Sequence, residues 1–319
     1  MKLVDIFDRL YSLTCYENIV LQKLRVYSLL RFLIREVANC ALPIYFKASK
    51  AKEKHSLRES NKTGNRVIVS LTSFPARINN LWLVVETILR QTRKPDKIIL
   101  WLSKEQFTTS DKLPEELLIL QTRGLDIRLM GGDIRSHKKY YYSLLEYPND
   151  TIITVDDDVF YNSQIIEHLI NCSKMYPNTI CCTNSILITH ENKVLLPYNK
   201  WRKCDETNSP SLNIFPIGVG GVLYPPKVFN DEITEKEAFM KFCPTADDVW
   251  LRTMSLLTRT KAVQTQYKSL YLPVKNKNNK TLHSVNLHGP NDMQIQQVSQ
   301  YCIKLFGENP YSYEFINQK

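Results

Sequence analysis

From Arg66 onwards, short apolar runs alternate with amphipathic segments. The β-branched and apolar runs are typical of buried strands, and they predict strands at Val67–Leu71, Lys97–Leu102, Asp126–Met130 and Thr151–Val155. Helical spacing of apolar residues predicts helices through Leu83–Leu89, Leu113–Gln121, Tyr140–Leu145 and Ile165–Leu169. Because strands that alternate with helices form parallel sheets, we expect the α/β class. A mostly parallel sheet would be flanked by helices, with a ligand site beyond the carboxyl ends of its strands.

The N-terminal part of the chain has a different pattern. Apolar residues recur at helical spacing from Val26 to Val37, while Ser28, Arg31 and Arg35 cluster on the other side. This predicts a basic amphipathic helix, which either lies on an anionic membrane or packs on its own domain or a partner. Lys47–Asn65 is interpreted as a mobile linker. We therefore predict a helical extension and linker at 1–64 and a main domain at 65–319, divided into halves at 65–165 and 166–319.

Three consecutive carboxylates, Asp156, Asp157 and Asp158, follow the predicted strand at Thr151–Val155. Adjacent acids repel each other unless a cation lies among them, and a divalent metal ion is the simplest candidate. Side chains alternate along an extended chain, so Asp156 and Asp158 point to one side and Asp157 to the other. Hard carboxylate oxygens favour Mg²⁺ or Mn²⁺, which usually bridge carboxylates to substrate phosphates.

Two other interpretations of the acids remain open at this point. They could form a solvated turn before a helix capped by Asn162 or Ser163. They could also begin an EF-hand loop, but Phe160 stands where the fifth ligand is needed and Tyr161 where the turn glycine is needed.

Further candidate residues lie upstream and downstream of the acids. Thr72 and Arg77, after the first strand, and Lys139, before the acids, could contact a nucleotide or its phosphates. Downstream, Asp247 and Asp248 form a second acid pair before an apolar helix, where they are candidates for a general base or for helix caps. We expect Gly220, Gly221 and Trp201 to contribute to an acceptor site, and His288 is a candidate additional metal ligand.

Composition and charge narrow the classes of partner. The 319-residue chain has a formal net charge of +10, and residues 1–64 carry twelve Lys or Arg against six Asp or Glu. This excess favours a phosphate-bearing ligand or an anionic membrane surface, while the absence of a recognisable module argues against nucleic acid. Eight cysteines without a CxxC pair are expected to be free thiols. No signal peptide or spanning segment is recognisable, so we expect a cytoplasmic protein, peripheral at the inner face of the membrane if it is membrane-bound.

Taken together, these segments resemble a bacterial nucleotide-sugar glycosyltransferase of the GT-A fold, similar to glycosyltransferase family 2. The resemblance spans Arg66–Leu257 and rests on the ordered motifs VSLTSFPARI, KPDKIILWLS, IITVDDDVFY, GVGGVLYPP and ADDVWL. It implies a GT-A (Rossmann-like) sheet, and a metal and donor site at Asp156 and Asp158 with Asp157 supporting. It also implies Asp248 as the base with Asp247 second, although this chain has Asp247 where the family commonly has Glu.

The implied activity is metal-dependent inverting transfer of a sugar from a nucleoside diphosphate, with UDP the expected nucleotide. The acceptor would be a glycan or a lipid-linked molecule, in surface polysaccharide synthesis. Two alternatives belong to other classes. A nucleotidyltransferase acting on sugar phosphates would release pyrophosphate, and a nonenzymatic membrane-associated binding protein would not hydrolyse donors at all.

Overall fold

The computed structural model describes residues 2–15, 25–49, 57, 66–109, 113–204, 209–267, 270–276 and 290–317. The described helices are α1 (Leu3–Ser12), α2 (Val26–Ser49), α3 (Leu81–Leu89), α4 (Glu115–Ile119), α5 (Lys138–Glu146), α6 (Ile165–Met175), α7 (Lys236–Phe242), α8 (Asp247–Leu257), α9 (Pro290–Phe306) and α10 (Tyr313–Asn317). The described strands are β1 (Val67–Thr72), β2 (Lys97–Ser103), β3 (Leu125–Met130), β4 (Thr151–Thr154), β5 (Ile180–Cys182), β6 (Ser185–Leu187), β7 (His190–Glu191), β8 (Val194–Leu195), β9 (Arg202–Lys203), β10 (Ile214–Pro216), β11 (Val222–Tyr224) and β12 (Ala262–Gln264).

The central sheet of the described chain has seven strands in the order β12-β5-β11-β4-β1-β2-β3. Strand β1 pairs in parallel with both β2 and β4, and β2 pairs in parallel with β3. Strand β11 runs antiparallel to its neighbours β4 and β5. The predicted α/β class, with a mostly parallel sheet flanked by helices, is confirmed.

Both faces of the sheet are covered, because successive strand residues contribute to different cores. In β1, Val69 and Leu71 belong to one apolar cluster, whereas Ile68 belongs to the other. The first cluster includes α3 and the second includes α8. Burial on both faces is why these strands appear in the sequence as continuous apolar runs rather than as an alternation of apolar and polar residues.

The polarity of the strands brings distant loops to one edge of the sheet. Strands β1 and β4 are parallel, so Thr72 and the residues after Thr154 lie at the same edge. Because β11 is antiparallel to β4, with Val222 opposite Thr154, the glycine-containing loop before β11 also lies at that edge. The carboxyl ends of parallel strands are the usual ligand-binding edge of such sheets.

Several predicted helix boundaries differ from the structure. The helix predicted at Leu113–Gln121 is only α4, which continues as a 3₁₀ turn to Arg123 and ends at the left-handed Gly124. The sequence also offers Asn79 or Asn80 as a cap for the helix through Leu83–Leu89, but the Asn80 side chain donates to the carbonyl of Lys275 and makes no cap hydrogen bond. The first of these ends is set locally by Gly124, whereas Asn80 makes a tertiary contact.

The N-terminal helices pack on the main domain. Val4 of α1 and Ala38, Leu42 and Phe46 of α2 are buried in the same core as α3. The linker predicted from Lys47 begins too early, since α2 continues to Ser49, and most of the remaining linker lies outside the described residues. The predicted apolar stripe at the start of α2 is largely exposed, because burial shifts to residues after Val37.

Among the residues that the structure describes, no helix has both the length and the apolar run needed to cross a membrane. Seven cysteines of the described chain form no disulfide bond: Cys40, Cys172, Cys181, Cys182, Cys204, Cys243 and Cys302.

Candidate active site

The three consecutive aspartates lie directly beyond β4, where they point in different directions. The side chains of Asp156 and Asp158 are 29% and 25% exposed, whereas that of Asp157 is 7% exposed. The Ser73 hydroxyl donates to Asp157 at 2.6 Å, and the Tyr161 hydroxyl accepts from the amide of Asp156 at 2.7 Å. Asp157 thus ties the loop after β1 to the loop after β4, and Asp156 and Asp158 remain partly open to solvent.

Arg77 supplies one of the cations that the acids require. Its guanidinium pairs with Asp157 at 2.5 Å and with Asp158 at 3.0 Å, and its side chain is 11% exposed. Burial raises the pKa of Asp157, an effect that Arg77 opposes. Burial and the charge of Asp156 raise the pKa of Asp158 to about 6. Arg77 therefore balances part of the negative charge of the acids.

Lys139 is the second cation and connects the two acid groups. Its Nζ lies 3.0 Å from Asp156 and 2.7 Å from Asp247. Burial would lower the pKa of Lys139, but the carboxylates of Asp156 and Asp247 raise it well above its ordinary value. The amine is therefore charged. Its position depends on β1, where the Ser70 hydroxyl donates to the Lys139 carbonyl at 2.5 Å.

Asp247 and Asp248, in the first turn of α8, have opposite electrostatic environments. Burial alone would raise the pKa of Asp247, but Lys139 lowers it overall. Burial and the neighbouring charge of Asp247 raise the pKa of Asp248 to about 7. One Asp248 oxygen accepts from the amide of Gly218 at 3.0 Å, and the other is buried without a hydrogen-bond partner among the described residues. Asp248 is thus held in place through one of its two oxygens.

Gly218 allows this arrangement because it has no side chain. A Cβ atom at this position would lie 3.0 Å from an Asp248 carboxylate oxygen and 3.1 Å from Lys139 Nζ. These distances are tighter than ordinary van der Waals contacts. At Gly218 the backbone of the loop before β11 therefore lies directly against Asp248 and Lys139.

The carboxylates at the sheet edge fit a divalent ion that also binds substrate. Asp156 pairs with Lys139 and Asp158 pairs with Arg77, each through one oxygen, and both carboxylates stay partly exposed. No group of three or more His, Cys, Asp or Glu side chains converges within the described part of the chain. Such a donor set suits Mg²⁺ or Mn²⁺, which complete their coordination with water and phosphate oxygens, rather than an ion that needs a full protein cage.

The remaining predicted site residues lie in different surroundings. The Thr72 hydroxyl, at the same sheet edge, donates to the Trp101 carbonyl at 2.7 Å. Trp201 is buried against Phe215 and Tyr311, and its indole donates to the Leu196 carbonyl at 2.8 Å. Their donor and acceptor roles stay predictions.

Gly220 and Gly221 have structural reasons to be glycine. Both adopt positive φ angles, of 92° and 104°. A Cβ atom at Gly220 would lie 2.1 Å from the ring of Tyr271 and 2.4 Å from the hydroxyl of Thr183. Their acceptor roles also stay predictions, and His288 lies outside the described residues.

Sequence reasoning missed the position of Gly218 and the bridging position of Lys139. The GVGG run signals close backbone approach but does not name the partner, and a lysine in a basic run gives no sign of burial between distant acids. Ser73 and Tyr161, which orient the acid triplet, also carry no individual signal in the sequence.

No family model matches this chain, and no curated protein sequence matches it either. Similar solved structures include a mannosyltransferase from Pyrobaculum calidifontis in complex with GDP-mannose and Mn²⁺, with 11% identity and a TM-score of 0.47 over 89% of this chain and 78% of that one. They also include a 4-diphosphocytidyl-2C-methyl-D-erythritol synthase from Anaerococcus prevotii, with 16% identity and a TM-score of 0.41 over 65% of this chain and 92% of that one. At these values the function proposed below rests on this chain's own residues.

Proposed function

We propose that this protein is a metal-dependent inverting glycosyltransferase. It would transfer a sugar from a nucleoside diphosphate, with UDP the expected nucleotide, to a hydroxyl of a glycan or a lipid-linked acceptor. The observation that carries the proposal is that the two groups of carboxylates have different surroundings. Asp156 and Asp158 are partly exposed beyond the end of β4, whereas Asp248 is separately held with a pKa of about 7 and one oxygen that makes no hydrogen bond to the described residues.

In this reaction Asp248 takes the proton from the acceptor hydroxyl. The acceptor oxygen then attacks the anomeric carbon of the donor sugar from the side opposite the diphosphate, the bond from that carbon to the phosphate oxygen breaks, and the nucleoside diphosphate leaves with its electron pair. A base with a pKa near the working pH serves this step best, because it is deprotonated when needed and still basic enough to accept the proton. Gly218 holds one Asp248 oxygen through its amide, which leaves the other to receive the proton.

Asp156 and Asp158 would hold Mg²⁺ or Mn²⁺. Such an ion, when bound, supplies positive charge that stabilises the leaving diphosphate. Lys139, between Asp156 and Asp247, links the metal-binding loop after β4 to the base-bearing first turn of α8. Arg77 is placed at the same edge, where it can exchange part of its carboxylate pairing for donor phosphate.

A screen of UDP-, GDP- and dTDP-sugars with and without Mn²⁺ tests the reaction class. We expect metal-dependent release of a nucleoside diphosphate from one donor. Release of pyrophosphate from a nucleoside triphosphate and a sugar phosphate would instead identify a nucleotidyltransferase. No turnover with any donor, together with binding of an intact nucleotide, would favour a nonenzymatic binding protein.

Two isosteric or truncating variants separate the roles of the acids. Asp248→Asn should keep donor affinity and lower turnover by about 10²- to 10⁴-fold, since the base is lost. Asp158→Ala should abolish the Mn²⁺ dependence of donor affinity in calorimetry. Asp126→Asn is the matched control, because Asp126 lies near the start of β3, at the edge of the sheet away from the site, and pairs with Arg128 at 2.7 Å. Near-normal turnover of Asp248→Asn would refute the base assignment.

A further inference from the structure

Helix α2 has a second apolar face that points away from the protein. At about 100° per residue, Leu29, Leu33, Val37 and Ile44 fall within one arc of roughly 80°, and the buried residues of α2 fall on the opposite side of the helix. These four side chains are 58%, 48%, 55% and 71% exposed. The helix is therefore apolar on two sides, and only one of them is covered by the core.

Helix α1 and the turn after it carry a similar stripe. Ile6, Leu10 and Leu13 follow each other at helical spacing and are 37%, 43% and 46% exposed. The Arg31 guanidinium of α2 donates to the hydroxyl and the carbonyl of Thr14 at 2.9 Å and 3.0 Å, which fixes the two helices to each other. We call the exposed apolar residues Ile6, Leu10, Leu13, Leu29, Leu33, Val37 and Ile44 the hairpin face. Concentrated exposure of this kind usually marks an interaction surface.

The acidic side chains of α1 and α2 form hydrogen bonds or ion pairs with residues of the main domain. Asp5 accepts from the Ser163 hydroxyl at 2.8 Å, and Asp8 accepts from Tyr267 at 2.6 Å. Glu36 pairs with Lys275 at 2.5 Å. Arg9 and Arg25, in contrast, are exposed beside the apolar stripes. The exposed residues of the two helices therefore combine apolar side chains with positive charge.

We propose that the hairpin face docks on an anionic lipid bilayer. Its apolar side chains would enter the boundary between headgroups and acyl chains, while Arg9 and Arg25 contact lipid phosphates. A second copy of the chain fits this surface less well, because a twofold interface would bring two basic segments together. This docking is independent of the function proposed above, since none of its residues contributes to the active site.

Vesicle co-sedimentation of the full chain tests the proposal. We expect binding to vesicles of phosphatidylcholine and phosphatidylglycerol at a ratio of about three to one, weakened by salt, and little binding to phosphatidylcholine alone. The double substitution Leu33→Glu with Val37→Glu should reduce binding at least tenfold, because two charges would enter the apolar boundary. Met175→Glu is the matched control, since Met175 is 69% exposed on α6 and should bind as the unaltered protein does.

A second pair of variants tests the contribution of positive charge to vesicle binding. Arg9→Gln and Arg25→Gln should each weaken binding by about fivefold while the circular dichroism spectrum stays unchanged. Equal binding to both vesicle types, or wild-type binding by Leu33→Glu with Val37→Glu, would overturn the proposal. So would a dimer in analytical ultracentrifugation that this double variant dissociates, because the hairpin face would then be a self-association surface.

Discussion

The protonation of Asp248 should govern the rate of the proposed reaction. Burial and the charge of Asp247 raise its pKa to about 7, and a base acts only when it is deprotonated. The value of kcat/KM should therefore rise with pH through about 7 and level off above it. The two charged neighbours of Asp248 allow this expectation to be tested in both directions.

Asp247→Asn and Lys139→Met should move this rise in opposite directions. Asp247 raises the pKa of Asp248, so its neutralisation should lower the pH at which activity appears. Lys139 lowers the same pKa, so its replacement should raise that pH. A unit charge roughly 6 Å away contributes about 3 kcal/mol at an effective dielectric constant of about 20, which equals about two pH units.

The measurement is nucleoside diphosphate release at low donor concentration from about pH 5 to about pH 9, at constant ionic strength. Asp126→Asn serves as the control, because its ion pair with Arg128 lies at the far edge of the sheet. Because Asp247 and Asp248 interact, the fitted value belongs to the pair. The assignment of this pH dependence to Asp248 would be refuted if the rise of kcat/KM shifted in the same direction in both variants. It would also be refuted if the rise did not shift in either variant.

Two further pairs of variants test the site and the fold. Gly218→Ala should lower turnover at least tenfold at an unchanged urea midpoint, because the new Cβ would press on Asp248. Gly131→Ala is the control and should be neutral, because a Cβ there meets open space. Equal turnover of the two variants would contradict the close approach of Gly218 to Asp248. Leu42→Ala should lower the free energy of unfolding by about 2–5 kcal/mol, because Leu42 is fully buried. Ile44→Ala, 71% exposed, should change it by less than about 0.5 kcal/mol, and equal losses in urea denaturation would show that α2 does not pack as described.

The sequence by itself determined the class of the fold and the place of the acid triplet. The apolar run of β4 and the acids that follow it are local features, because strand periodicity and burial depend on neighbouring residues. The order of strands and helices then made a mostly parallel sheet the expected outcome, with its ligand edge beyond the strand ends. These features could be predicted without knowing which distant residues are in contact.

Only the tertiary structure decided which residues complete the site. Arg77 meets Asp157 across 80 residues of sequence, and Lys139 lies between Asp156 in the loop after β4 and Asp247 in the first turn of α8. The antiparallel direction of β11 brings Gly218 against Asp248, a contact that no periodicity indicates. Such pairings depend on strand order and direction, and the charge balance of a buried site depends on all the groups that the fold brings together. For the same reason, the sequence located an amphipathic α2 but could not determine which of its apolar faces the core would cover.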